Sequence, residues 1–124
     1  MVRVLVTGSH GSLGRVACTA AQNAGHFVRG FDRAGGAGDA VYDRSATPAP
    51  RPDEFVQAEL GDKVALARAM EGMDVVIHLA ATPDDLTAFD APGGIADSNI
   101  MGVYNVCDAA RTAGVKCEST ACYS

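Results

Sequence analysis

No stretch of the 124-residue sequence approaches the roughly 18 to 20 consecutive apolar residues of a membrane-spanning helix, and the N-terminus lacks the basic segment, apolar stretch and cleavage site of a secretory leader. These absences predict a cytoplasmic protein with no membrane partner. Basic residues are few and scattered: 10 Lys and Arg stand against 15 Asp and Glu, a formal net charge of −5. Without a stripe of Lys and Arg to neutralise a row of phosphates, no nucleic-acid partner is expected. The four cysteines, Cys18, Cys107, Cys117 and Cys122, match no zinc spacing. A cytoplasmic setting disfavours disulfides, and Cys18 and Cys107 read as small apolar helix residues. His26 and His78 have no partners at metal spacing, so no metal site is expected. Large apolar side chains are scarce as well. Although 48% of residues are hydrophobic, 22 of them are alanine and only 26 are Val, Leu, Ile or Phe, which predicts one domain with a thin core.

What is present is an alternation of short apolar runs and helical patterns. Val2 to Val6, broken only by Arg3 and followed by Thr7-Gly8, reads as a strand buried on both faces. Leu13, Val16, Ala17, Ala20, Ala21 and Ala24 recur at helical spacing until Gly25, and His26 to Phe31 returns to strand character, ending at Asp32. Arg33 to Asp53 reads as a long loop. Glu54 to Ala58 is a short candidate strand. Asp62 can cap a helix carrying Val64, Ala67 and Met70 and stopping at Gly72. Asp74 to Ala80 is another buried strand, Thr82 to Gly94 a second loop, and Ile100, Val103, Cys107 and Ala110 mark a last helix ending near Gly114. With right-handed crossovers this order is an α/β fold: a Rossmann-like doubly wound parallel sheet with helices on both faces. It is incomplete, with about four strands, because residues 117–124 hold no run of Val, Ile or Phe and read as an irregular tail after a domain of residues 1–116.

The strongest chemical signal is Thr7-Gly8-Ser9-His10-Gly11-Ser12-Leu13-Gly14, at the turn from the first strand into the first helix. Three glycines at this spacing among 14 mean little alone; their position gives them weight. A dinucleotide pyrophosphate must come close to the backbone N–H groups and the positive helix end, and a Cβ at Gly8 or Gly11 would obstruct it. Gly14 lets the helix lie close to the sheet. Asp32 follows Gly14 by 18 residues, where its carboxylate can accept from ribose hydroxyls and repel a 2′-phosphate. That favours NAD over NADP, with Arg33 beside it leaving the preference open. His10 can touch phosphate or face solvent.

These motifs resemble those of the extended short-chain dehydrogenases/reductases, the NAD-dependent sugar-nucleotide epimerase and dehydratase group. The likeness covers residues 1 to about 116. Gly25-His26-x-Val28 and Asp32-Arg33 match the family's second strand, and Glu59-Leu60-x-Asp62 stands where the family has Asp-Leu near the adenine. Gly72-Met73-Asp74-Val75-Val76-Ile77-His78-Leu79-Ala80-Ala81 matches its fourth strand and the turn beside the nicotinamide ribose. Asn99-x-x-Gly102-x-x-Asn105-Val106 resembles the following helix, in which the resemblance gives Asn99 a supporting role at the active-site backbone. It thus implies NAD contacts from the glycine turn, Asp32, Arg33, Glu59, Leu60, Leu79, Ala80, Ala81 and Asn99.

The same resemblance implies catalysis by a Ser or Thr, a Tyr general base and a Lys four residues after the Tyr. Tyr42, Tyr104 and Tyr123 are the only tyrosines, and none has Lys at the fourth following position. Ser119-Thr120 resembles the serine motif, although only Cys117-Glu118 separates it from Val115-Lys116, where the family has several apolar strand residues. The expected function is therefore the NAD-binding portion of an epimerase/dehydratase-like oxidoreductase, inactive alone and truncated from a longer enzyme. The alternative is a non-catalytic NAD(H)-binding regulatory or interaction module, which senses NAD(H) or pairs with a full-length partner through its open sheet edge; that edge, expected at the fourth strand, also predicts self-association.

Overall fold

The computed structural model of the chain describes residues 1–33, 51–80 and 100–119. Its centre is β1 (Arg3–Thr7), where Val4, Leu5, Val6 and Thr7 are all buried. β2 (Phe27–Asp32) pairs in parallel on one side, with Val4 opposite Val28, and β4 (Val75–His78) on the other, with Leu5 opposite Val76. β3 (Glu54–Gln57) adds outside β2 and β5 (Lys116–Ser119) outside β4, giving the order β3-β2-β1-β4-β5. A strand with neighbours on both edges and helices on both faces meets no solvent, so its sequence is a continuous apolar run rather than an alternation. Because the chain winds from β1 toward β2 and then crosses back to β4, the strand order reverses between β1 and β4. A crevice opens there at the carboxyl ends of the strands.

α1 (Ser12–Asn23) covers one face, setting Cys18 against Val4, Val6 and Val28. α2 (Lys63–Met70) and α3 (Gly102–Ala113) cover the other, where Leu66, Ala69, Met70, Val106 and Ala110 pack with Leu5, Phe31 and Val76. The expected Rossmann-like architecture is present, yet the helix faces differ from the sequence reading. In α1, Leu13 and Val16 are exposed; in α2, Val64 is exposed and Leu66 and Ala69 are buried. In α3 the buried stripe runs through Gly102, Val106 and Ala110, which leaves Ile100 and Cys107 exposed. At α1 and α3 small residues stand at the contacts: a Cβ at Gly14 would collide with the Gly8 carbonyl oxygen, and one at Gly102 would fall 2.6 Å from Leu60 Cδ1.

The sheet also has five strands where about four were expected, and the tail predicted from 117 begins inside β5. Lys-Cys-Glu-Ser has little strand propensity, but β-propensity yields to context. Gly114, at φ +74°, turns the chain after α3, and the buried Val115 donates its N–H to the Ala110 carbonyl at 2.8 Å. The next four residues are delivered against β4, Val75 opposite Lys116 and His78 opposite Ser119. β4 is therefore not the exposed edge; among the described residues the edges are β3 and β5.

Polar contacts fix the element ends. Asp62 accepts from the Ala65 N–H at 3.0 Å and caps α2. The other end of α2 meets Arg29 of β2, whose Nη1 donates to the carbonyls of Ala69 and Glu71, both at 2.8 Å, while its guanidinium pairs with Glu54 of β3 at 2.7 Å. Just before β3, Asp53 accepts from the Val28 N–H at 2.9 Å. Replacing Asp62 by Ala should lower stability by about 1 kcal/mol, the usual worth of an N-cap, as read from the urea unfolding midpoint.

Candidate functional site

The loop from β1 into α1 leaves no room for side chains at two of its three glycines. Gly8 has φ +70°, donates to the Phe31 carbonyl at 2.8 Å, and lies so near the turn after β4 that a Cβ would fall 2.8 Å from backbone atoms of Ala80. At Gly14 a Cβ would collide with the carbonyl oxygen of Gly8. Gly11 is different. Its φ of −77° and ψ of 174° suit any residue, and among the described residues a Cβ there would meet only the Gly8 carbonyl oxygen, at 3.4 Å. The fold demands glycine at 8 and 14; at 11 it leaves space in front of the first turn of α1.

That space has the chemistry of an anion site. Gly11 is the N-cap of α1 and brings no side chain to its first-turn N–H groups, and no acidic residue stands in that turn. α2, with Asp62, shows the usual alternative. Unsatisfied N–H groups at the positive end of a helix attract a phosphate.

Neighbouring residues hold the loop in place. The His10 N–H donates to Asp32 Oδ2 at 2.9 Å, and the His10 carbonyl accepts from Arg15 Nε at 3.0 Å. The His10 ring is half-buried, tilted against Phe55 with centroids 4.6 Å apart and within 3.1 Å of the buried Ser9 Oγ, so it does not simply face solvent. Arg15 was missed by the sequence reading; a cation directly after the last motif glycine was its only signal. Asp32 thus does two things, orienting the glycine loop and ending β2 at the crevice.

A second node lies under Ala80. Thr7 Oγ1 accepts from the N–H groups of Leu79 at 3.1 Å and Ala80 at 3.3 Å and contacts His78 Nδ1 at 2.7 Å. One hydrogen bond joins the hydroxyl and Nδ1, its direction set by the tautomer of the ring. His78 is buried, and burial holds its pKa below the ordinary 6.5. It is a core residue that clamps the turn after β4 onto the end of β1.

Gly8, Ser9, His10, Gly11, Gly14 and Asp32 therefore form one group, which Leu79 and Ala80 join through Gly8 and Thr7. Leu13 is exposed on α1, and Ser12 opens that helix. Arg33 is exposed, with its carbonyl accepting from Gln57 Nε2 at 3.3 Å. Glu59 and Leu60 follow β3, and Leu60 is held by α3: its carbonyl accepts from Asn105 Nδ2 at 3.1 Å, and its Cδ1 would lie 2.6 Å from a Cβ at Gly102. The Gly102 and Asn105 of the last helical motif thus position Leu60. Ser119 ends β5, and Ala81, Asn99 and Thr120 lie outside the described residues. Among the described residues no three His, Cys, Asp or Glu side chains gather as metal ligands, and no helix is long and apolar enough to cross a membrane.

Comparison with known proteins gives the family and the fold. The model of the NAD dependent epimerase/dehydratase family matches residues 4–124. The chain belongs to that family. An L-arabinose 1-dehydrogenase (NAD(P)(+)) from Haloferax volcanii is 32% identical over 93% of this chain and 38% of its own length. A probable UDP-glucuronate 4-epimerase from Rhizobium meliloti is 32% identical over 93% and 35%. The crystal structure of a UDP-glucose-4-epimerase from Stenotrophomonas maltophila, with bound NAD and formylated UDP-arabinopyranose, superposes with a TM-score of 0.76 at 33% identity, over 93% of this chain and 35% of that one. The chain thus spans little more than a third of the length of these epimerase/dehydratase relatives.

Two measurements test the geometry. Gly14→Ala should cost about 2 kcal/mol or more through overpacking against Gly8, whereas Gly11→Ala should cost at most about 1 kcal/mol, both from denaturant unfolding. Stability should also fall as pH drops below 6.5, because the unfolded state then binds a proton at His78 that the folded state resists. His78→Gln, which cannot charge, should lose that part of the slope.

Proposed function

We propose that the chain binds NAD with its pyrophosphate in front of α1, and forms the dinucleotide-binding part of a cytoplasmic oxidoreductase acting on sugar nucleotides or related sugars. The observation that carries this reading is Gly11: its missing side chain is unnecessary to the fold and leaves open an uncapped helix N-terminus. The first-turn N–H groups of α1 would hold the pyrophosphate, and Asp32, fixed through the His10 N–H, would accept from the adenosine ribose. Its negative charge disfavours the 2′-phosphate of NADP. Leu79 and Ala80 border the nicotinamide end, where Thr7 holds their backbone. When bound, the nicotinamide supplies hydride acceptance from a substrate carbon. The proton-moving Tyr and Lys of such chemistry are not in this sequence, so residues 1–119 bind without turnover. The names of the Haloferax and Rhizobium relatives, a sugar dehydrogenase and a sugar-nucleotide epimerase, support the substrate class.

A second reading, a non-catalytic NAD(H)-binding module that self-associates, draws on β5, which pairs on one side only among the described residues. It places the open edge at β5 rather than β4.

Titration with NADH, followed by its own fluorescence because the chain has no tryptophan, should saturate below the millimolar range. NADPH should bind about tenfold more weakly or worse, and Asp32→Asn should narrow that gap. Gly11→Ala should weaken NADH by about tenfold while remaining folded. A flat titration at millimolar NADH overturns both readings, and turnover of a sugar nucleotide by this chain alone overturns the claim of binding without catalysis.

A further inference from the structure

Cys107 of α3 and Cys117 of β5 are ten residues apart in the chain, and their sulfurs lie 3.9 Å apart as thiols. The pairing follows from the fold. Gly114 turns the chain, Val115 anchors in the core, and β5 then runs back beside α3, which leaves Cys107 exposed and Cys117 half-buried. A disulfide needs the sulfurs at about 2.05 Å, a closure that rotation of the exposed Cys107 side chain can begin. The third described cysteine is unlike them. Cys18 is buried under α1, and burial pushes its thiol up to about 11, which keeps it protonated and unreactive.

We infer that Cys107 and Cys117 form a reversible oxidation site, closed by glutathione disulfide or a similar small disulfide, that staples the edge strand β5 to α3. The thiolate of exposed Cys107 attacks one sulfur of the oxidant, forming a mixed disulfide and expelling one glutathione thiolate. Cys117 then gives up its proton, and its thiolate attacks the Cys107 sulfur and expels the second glutathione. Two protein thiols lose two electrons and two protons, and glutathione disulfide becomes two glutathione thiols. The site is placed where a staple matters. β5 is four residues long, has no Val or Ile, and pairs with β4 alone among the described residues. A link to α3 ties it to a second element and protects the edge.

The test uses the whole chain with Cys122 replaced by Ser, since Cys122 shares a tryptic peptide with Cys117. After incubation with glutathione disulfide and digestion without reductant, the peptide ending at Arg111 should be found joined to the one starting at Cys117. The intact mass should fall by two hydrogens, and dithiothreitol should reverse both changes. Cys107→Ser and Cys117→Ser should each abolish the link; Cys107 is exposed, so its variant keeps the fold intact. Amide hydrogen exchange in β5 should slow by about tenfold or more in the oxidised chain. A stable glutathione adduct, a disulfide between two chains, or unreacted thiols would overturn the site. A link that leaves β5 exchange unchanged would overturn its role as a staple.

Discussion

The carbonyl oxygen of Gly8 occupies the place where a side chain at residue 14 would begin, and the rest of the site depends on that contact. It brings α1 down onto the end of β1, so that the first turn of the helix opens at the crevice where strand order reverses. The same loop presses on the other side against Ala80, and Thr7 ties Ala80 and Leu79 to β1 from beneath. Three elements, β1, α1 and the end of β4, are thus locked through backbone atoms and one hydroxyl. The open space at Gly11 is bounded by parts that cannot move apart independently, which is the preorganisation an anion site requires.

Much of this was legible in the sequence, for identifiable reasons. A strand buried on both faces writes itself as an apolar run, and Val2 to Val6 located β1. Asp62 announced a helix start because a carboxylate before an apolar pattern has a backbone partner within its own turn. The glycine motif pointed to the site because its steric demand is local. Three things were hidden. β5 is specified by the strand beside it and by Val115 rather than by its own Lys-Cys-Glu-Ser. The close approaches of α1 at Gly14 and of α3 at Gly102 rest on the absence of a side chain, and no hydrophobic periodicity registers an absence. Thr7 acts on Leu79 and Ala80, which only the fold brings near, so it carries no pattern of its own.

The scarcity of large apolar residues fits the same construction. Where α1 meets the sheet, the contacts come from Cys18, Ala17 and Ala21 rather than from Leu or Phe, and the larger side chains collect on the other face around Phe31, Leu66 and Met70. Small residues bury less area each but let helix and sheet approach closely, and the helix end at Gly11 gains its position from that closeness. The thin face and the site are two results of one choice of residues.

Arg29 and Asp53 have a consequence for how such a chain can vary. β2 and β3 are clamped to each other directly: Asp53 holds the Val28 N–H, Glu54 holds Arg29, and the Ala58 N–H donates to the Asp32 carbonyl at 3.0 Å. The register of β3, and with it the position of Asp32, is set by residues that do not belong to the connection. A substitution at Asp53 or Glu54 therefore reaches the crevice through β2, at a distance from the glycine turn along the chain but one strand away from it in the sheet.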